Sequence, residues 1–209
     1  MPTEQLIGSI SPDRSLLVVA VEEEAQFLPA ALPILITGIG KINATLALST
    51  ALAGGIRPAG LVNLGTAGAL RPGLAGLHEV GTVIQHDLDT ELLFRLTGET
   101  FGAPLDLAHP GGTTLATGDA FVAGGPQKER LAEQAHLVDM EGYAVAAVAQ
   151  RLGLPVRLIK LVSDEADENS ARTWPETVSE CARVLAGWVS AELLGDEPLR
   201  DELLRDELP

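Results

Sequence analysis

Short apolar runs rich in Val and Ile alternate along the chain with longer Ala-rich stretches. A strand covered on both faces is apolar throughout, whereas a crossover helix needs ten or more residues. The alternation therefore predicts an α/β fold with a largely parallel sheet. Strands are predicted at 16–21, 34–36, 61–64, 81–85, 137–140 and 156–162, and helices at 41–53, 140–152 and 175–194.

One segment has no clear period. Residues 90–112 are rich in Gly, Pro and Thr, so we expect a long loop there with at most one short element. Loops of that length inside a compact domain are usually functional.

Size and composition define the class of protein. The 209 residues (21.8 kDa) predict a single catalytic domain over residues 1–194, followed by an acidic, flexible tail at 195–209. Apolar residues make up 46% but aromatic residues only 3%, so the core must consist of Ala, Val, Leu and Ile. The net charge of −15 opposes binding to nucleic acid and to anionic membranes. Residues 1–15 lack the features of a signal peptide, and a cytoplasmic location is expected.

Several cofactor and metal sites are disfavoured. The single cysteine, Cys181, and the four histidines lack metal-ligand spacing, so we expect neither a disulfide nor a metal. Gly-Ile-Gly-Lys at 38–41 fails the phosphate-loop pattern, because the required Gly and Ser/Thr positions hold Leu35 and Ile42. It also fails the dinucleotide-binding fingerprint, because Asn43 occupies the position at which that fingerprint requires a third glycine. No cofactor is expected.

Acidic residues follow three predicted strands. Glu-Glu-Glu occupies 22–24, Asp139 and Glu141 flank Met140, and Asp164 follows the strand at 156–162. Ligand clefts of α/β proteins form at the carboxyl ends of strands. Taken singly, each acid also fits a solvated loop or a helix cap.

Seven short motifs occur in a fixed order. They are Val-Glu-Glu-Glu at 21–24, Thr-Gly-Ile-Gly-Lys-Ile-Asn-Ala at 37–44, Asn-Leu-Gly-Thr-Ala-Gly at 63–68, His-Asp-Leu-Asp at 86–89, Gly-Asp-Ala-Phe-Val at 118–122, Val-Asp-Met-Glu at 138–141 and Val-Ser-Asp-Glu-Ala-Asp at 162–167. The ordered set resembles the nucleoside phosphorylase and nucleosidase superfamily, and within it the 5′-methylthioadenosine/S-adenosylhomocysteine nucleosidases. The resemblance covers about residues 15–190.

The resemblance implies both a fold and a reaction. The fold is a single-domain three-layer sandwich, in which helices flank a central mixed, largely parallel twisted sheet. The implied reaction is hydrolysis of the N-glycosidic bond of a purine nucleoside, with cationic character developing at C1′ in the transition state. The expected substrates are 5′-modified adenosines.

The resemblance also implies residue roles. Asp164 corresponds to the general acid that protonates the purine, and burial favours the protonated form that this role needs. Glu24 corresponds to the carboxylate that activates water. Glu141 corresponds to the acceptor for the ribose hydroxyls, and a helix N-terminus is expected to keep it ionised.

The remaining predicted contacts surround the sugar and the base. Met140 is expected against the ribose, Phe121 and Val122 against the purine, and the 66–68 backbone close to the ligand. The predicted binding residues, besides Glu141, are Ile39, Thr66, Ala67, Gly68, Phe121, Val122 and Met140.

The chain departs from the family pattern at three places. Asp139 replaces a usual Glu, Lys160 replaces a common Arg, and only 13 residues separate Glu24 from Gly38. These changes leave open a catalytically inactive, nucleoside-binding protein on the same scaffold. Phosphorolysis is the other alternative, but the chain has no Gly-Asp-Pro and no arginine between Val21 and Arg57.

A partner subunit is also implied by the resemblance. In the nucleosidases, a loop following the His-Asp-x-Asp motif completes the neighbouring subunit's 5′ pocket. Here that loop spans 90–104, with Leu93, Phe94 and Pro104 as candidate contributors, so a homodimer is expected.

Overall fold

A computed structural model describes residues 4–108, 112–167 and 170–195, without the side chains of 171–176. Within these ranges nine strands form one sheet: β1 (Gln5–Ile7), β2 (Ser15–Val19), β3 (Ile34–Ile36), β4 (Gly60–Ala69), β5 (Leu77–Gln85), β6 (Leu105–Asp106), β7 (Thr113–Thr117), β8 (Leu137–Asp139) and β9 (Val156–Asp164). The helices are α1 (Glu22–Ala25), α2 (Lys41–Leu52), α3 (Thr90–Thr97), α4 (Gly125–Ala132), α5 (Gly142–Leu152) and α6 (Ser170–Val189), which continues as a π-helical turn at Ser190–Leu194.

The sheet is mixed and curls on itself. Parallel pairing joins β3, β2, β4 and β9 in that order. It also joins β5, β7 and β8, while β8 pairs antiparallel with β4 and β5 pairs antiparallel with β9. The strands β4, β8, β7, β5 and β9 therefore close a ring, and the carboxyl ends of several strands converge beside it.

Two apolar layers cover the sheet. On one face, strand residues such as Leu17 and Ile159 pack with Leu185 and Val189 of α6. On the other face, Leu16 and its neighbours pack against residues of α2 and α5. The helix–sheet–helix arrangement confirms the predicted three-layer fold, and the core is aliphatic as the composition requires. Among the residues described, no helix combines the length and the apolar character needed to cross a bilayer.

Three predictions about local structure need correction. The segment at 90–112 was expected to be a loop with at most one short element, but it holds two elements, α3 and β6. The helix α3 begins after Asp89, whose side chain accepts a hydrogen bond from the N–H of Leu92 (2.9 Å), and it ends at the left-handed Gly98. Its leucines, Leu92, Leu93 and Leu96, recur at helical spacing, but no residue of α3 is buried in this chain. The strand β7 was not predicted, and α6 begins at Ser170 rather than at 175. The predicted tail falls almost entirely on residues 196–209, which lie outside the described residues.

Candidate active site

A cavity of about 210 Å³ opens where β2, β8 and β9 end, beside the last residues of β4. Every catalytic and binding residue predicted from the sequence lines it. The lining residues are Ala20, Val21, Glu24, Ile39, Thr66, Ala67, Gly68, Ala120, Phe121, Val122, Val138, Asp139, Met140, Glu141, Ser163 and Asp164. Residues up to 144 positions apart in the chain thus share one small, mainly apolar chamber.

Glu24 lies in the single-turn helix α1 and is only 4% exposed. Its Oε2 accepts a hydrogen bond from the N–H of Ala20 (3.0 Å), and its Oε1 accepts one from the N–H of Thr66 (3.1 Å). Burial raises the pKa of Glu24, while the Lys160 ammonium and these N–H donors oppose the rise. The triplet 22–24 is therefore not simply a solvated charge run, because its third member is buried.

Asp139 and Lys160, two of the three departures from the family pattern, form one buried ion pair. Lys160 Nζ lies 2.9 Å from Asp139 Oδ2. Asp139 also accepts hydrogen bonds from the Thr117 hydroxyl (2.6 Å) and from the N–H of Gly142 (2.8 Å) at the start of α5. Burial acts to lower the pKa of Lys160, but the neighbouring carboxylates, led by that of Asp139, outweigh it and raise that pKa. Lys160 therefore keeps its charge although it is 1% exposed.

Glu141 corrects an expectation. It occupies the N-cap position of α5 but makes no capping hydrogen bond there; instead its Oε1 accepts one from the N–H of Gly40 (2.8 Å). Burial, together with the Asp139 carboxylate, raises the pKa of Glu141 to about 8. The helix N-terminus was expected to keep Glu141 ionised at neutral pH, and this was wrong because burial beside another acid outweighs the helix dipole.

Asp164 is the last residue of β9 and is half-buried. Its Oδ1 accepts a hydrogen bond from the N–H of Ala166 (2.8 Å), and its Oδ2 accepts one from the Ser163 hydroxyl (2.7 Å). A Cβ at Gly68 would lie 3.2 Å from Asp164 Oδ1. Glycine at position 68 therefore leaves room for the carboxyl group to face the cavity.

The apolar walls and the rim come from loops. Ile39 and Phe121 are 46% and 47% exposed, whereas Val122 is buried and Met140 half-buried. A half-exposed aromatic ring on a cavity wall offers a surface on which a planar base can stack.

Lys41 links three loops at this rim. Its ammonium contacts the side chains of Gln85 (3.1 Å) and Asp87, and its N–H donates to Asp119 Oδ1 (2.8 Å). The N–H of Asp119 donates in turn to Asp87 Oδ2 (2.8 Å). These bonds fix the loop that carries Ile39 against the loop that carries Phe121.

The predicted partner-site residues lie outside the cavity lining. Leu93 and Phe94 are on α3, and Pro104 is exposed ahead of β6. Their contribution to a neighbouring subunit's site stays a prediction.

Sequence reasoning missed Thr117 and did not pair Asp139 with Lys160. Thr117 ends the unpredicted strand β7, and its hydroxyl both donates to Asp139 and accepts a hydrogen bond from the N–H of Tyr143 (2.9 Å). The β-branched threonines of β7 were the available signal. Within the described residues, no group of three or more His, Cys, Asp and Glu side chains is arranged to hold a metal ion.

Fold and site together define an α/β protein whose apolar cavity at strand ends is equipped with carboxyl groups from separate elements. Comparisons with known proteins agree. Residues 108–191 match the sequence profile of the Phosphorylase superfamily. The aminodeoxyfutalosine nucleosidase of Helicobacter pylori is 30% identical over 176 residues, which cover 73% of this chain and 76% of that protein.

Other relatives point in the same direction. The 5′-methylthioadenosine/S-adenosylhomocysteine nucleosidase of Actinobacillus succinogenes is 26% identical, over 87% of this chain and 84% of that protein. The crystal structure of the Helicobacter pylori enzyme of that name, with a bound inhibitor, aligns with a TM-score of 0.74 at 22% identity, covering 88% of this chain and 99% of that one. The chain belongs to the nucleoside phosphorylase and nucleosidase superfamily.

Proposed function

We propose that this protein is a nucleosidase that hydrolyses the N-glycosidic bond of an adenosine derivative modified at its 5′ position. The observation that carries the proposal is the convergence of Glu24, Glu141 and Asp164 on one apolar cavity. Breaking a ribose–purine bond requires a proton for the leaving base, stabilisation of a cationic sugar and an activated water. Three carboxyl groups in different environments can divide these tasks.

Asp164 is proposed as the general acid. The Ser163 hydroxyl and the N–H of Ala166 fix the orientation of its carboxyl group at the end of β9. Phe121 and Val122 would hold the purine so that this carboxyl group reaches its leaving-group nitrogen. A positioned acid of this kind contributes typically about 10²–10⁴-fold to a rate.

Glu24 and Glu141 act on the sugar side. Glu24, held by two backbone N–H groups, is the proposed acceptor of the proton from the attacking water. Glu141, next to Met140, is placed to contact the ribose hydroxyls. A carboxyl group with a pKa of about 8 can hydrogen-bond hydroxyls in either protonation state, and positive charge at C1′ favours its ionised form.

Water is the proposed nucleophile rather than phosphate. The cavity lining in the described part of the chain includes no arginine or lysine, and a phosphate dianion in an apolar chamber needs such a partner. A nucleoside without a phosphate group suits these walls better than a nucleotide.

The leading substrate is 5′-methylthioadenosine or S-adenosylhomocysteine, the compounds named for several relatives. Aminodeoxyfutalosine, named for others, is the alternative within the same reaction. Both hypotheses place the adenine, the ribose and the three carboxyl groups in the same arrangement, and they differ in what the 5′ side of the pocket accepts.

The test is release of free base from a panel of nucleosides in phosphate-free buffer, followed by chromatography. We expect adenine from 5′-methylthioadenosine without phosphate, at a higher kcat/KM than from aminodeoxyfutalosine. Release that requires phosphate would make the protein a phosphorylase, and adenine binding without any turnover would make it a binding protein. A reversed substrate order would assign the futalosine-type activity.

A homodimer is part of the proposal. Exposed apolar side chains occur on α2, where Ile42 is 71% exposed, and on α3, where Leu96 is 72% exposed. Such side chains on two helices are typical of a surface that another subunit covers. Light scattering should give twice the 21.8 kDa chain mass, and a monomeric mass under assay conditions would contradict it.

A further inference from the structure

The buried charges of this protein form one cluster with unequal signs. In the described part of the chain, the charged side chains that are buried are Glu24, Asp139, Glu141 and Lys160. Three acids thus accompany a single base. Because an unpaired buried charge is costly, the position of the one ammonium group decides which acids can ionise.

A glycine lies between the Lys160 ammonium and Glu24. Lys160 on β9 is the parallel-strand partner of Gly65 on β4. A Cβ at Gly65 would lie 3.0 Å from Glu24 Oε1 and 3.4 Å from Lys160 Nζ. Glu24 Oε1 and Lys160 Nζ therefore both border the space that Gly65, which has no side chain, leaves open.

Asp139 holds the ammonium in that place. It contacts Lys160 Nζ at 2.9 Å and is itself fixed by Thr117 and by the N–H of Gly142. Lys160 is not among the residues that line the cavity. Lys160 therefore acts on the site through the neighbouring carboxyl groups, those of Glu24 and Glu141, rather than as part of the cavity wall.

We propose that Lys160 is a positioning residue that keeps Glu24 ionised for activation of water, while Glu141 stays protonated. The proposal rests on the proposed function, since it assigns Glu24 the role of base. It distributes charge in a definite way: Asp139 contacts the ammonium, Glu24 lies across Gly65 from it and has two N–H donors, and Glu141, with one N–H donor, stays neutral near pH 7.

Two further ionisable groups face this cluster. Asp164 stands at the end of β9, and Cys181 faces it from α6. Burial raises the pKa of Cys181 to about 11, so its thiol stays neutral across an ordinary assay range. A change in the pH profile upon replacing Lys160 is therefore not due to this thiol.

The experiment compares pH profiles of kcat/KM for methylthioadenosine hydrolysis between pH 5 and pH 10. Lys160→Met removes the charge, and Lys160→Arg preserves it. An opposite charge at close range shifts a carboxyl pKa by about one to three units. We expect the acidic limb of the Lys160→Met profile to move to higher pH by about that amount, with activity recovering as pH rises, and Lys160→Arg to keep the wild-type limb.

A matched control removes a cation from the same strand. Arg157 pairs with Glu79 at 2.7 and 2.8 Å and stacks on Trp188, and it is not among the residues that line the cavity. Arg157→Met should leave the acidic limb where it is. A uniform loss in Lys160→Met at every pH, or an equal shift in Arg157→Met, would overturn the proposal.

Removing one partner of a buried ion pair strongly destabilises a protein. If Lys160→Met does not fold, Asp139→Asn/Lys160→Met removes both charges together, and its acidic limb should still lie above that of wild type. An unshifted limb in the folded double variant would refute the role. Absence of turnover by wild type would instead refute the proposed function. The positioning role is then tested by unfolding, because the loss of stability in Lys160→Met relative to wild type should grow as pH rises. A loss of stability that does not change with pH would refute the positioning role.

Discussion

Glu141→Gln removes a titrating group from the buried cluster but keeps an oxygen for the N–H of Gly40. Folding raises the pKa of Glu141 from 4.5 to about 8. Between these values the folded chain holds a proton that the unfolded chain releases. Wild-type stability therefore falls as pH rises from about 4.5 towards 8, whereas glutamine contributes no such loss.

The size of the effect follows from this difference. At pH 7 the solution is about 2.5 units above 4.5, the pKa of this carboxyl group in the unfolded chain. Each unit of this difference corresponds to about 1.4 kcal/mol of stability. Glu141→Gln should thus be about 3 kcal/mol more stable than wild type at pH 7, which is about 10 °C in Tm for a domain of this size. At pH 5 the gain should shrink to below about 1 kcal/mol.

The assay is thermal unfolding of both proteins by circular dichroism at intervals from pH 5 to pH 8. Activity provides the opposite signature, because an amide cannot supply the negative charge that a cationic sugar favours, so KM should rise and kcat should fall. A stability difference that stays constant with pH would refute the reasoning, since a hydrogen-bonding or packing effect of the amide does not depend on pH in this range.

Further variants test the walls, the rim and the floor of the cavity. Phe121→Ala should raise KM about tenfold or more with an unchanged Tm, because base–aromatic stacking is worth about 1–3 kcal/mol; an unchanged KM would remove this residue from the purine site. Lys41→Met should raise KM more than it lowers kcat, because the loops it links carry the binding walls, and a pure kcat effect would contradict this. Gly65→Ala should lower both Tm and kcat, since its Cβ would lie 3.0 Å from Glu24 Oε1, whereas Gly54→Ala, where a Cβ meets nothing within 4 Å, should change neither.

The sequence was sufficient to predict the site because its residues follow strands. Val18 and its neighbours are apolar on both faces, and the 61–64 and 156–162 runs are mostly apolar. The acids that follow such strands, Glu24 and Asp164, then meet at one end of the sheet. The order of the motifs supplied the rest, and every residue predicted to act on or bind the substrate within its own chain lines the cavity.

Features that depend on tertiary contact were not predictable in this way. The pairing of Asp139 with Lys160 joins β8 to β9, two strands that are each paired to β4 and not to each other. The protonation of Glu141 depends on how many acids share the same buried space. The helix α3 carries Leu92, Leu93 and Leu96 at helical spacing, but the segment is short and none of its residues is buried in this chain, so it was not recognised as a core helix.

The central claim is that Asp164 protonates the purine of a nucleoside bound in this cavity. The most direct test is the rate of adenine release from methylthioadenosine by Asp164→Asn in phosphate-free buffer, relative to wild type. Asparagine can still accept from the N–H of Ala166 and donate to Ser163, so Tm should change little. The account predicts a loss in kcat of at least about a hundredfold. A folded Asp164→Asn variant that releases adenine at the wild-type rate would contradict it.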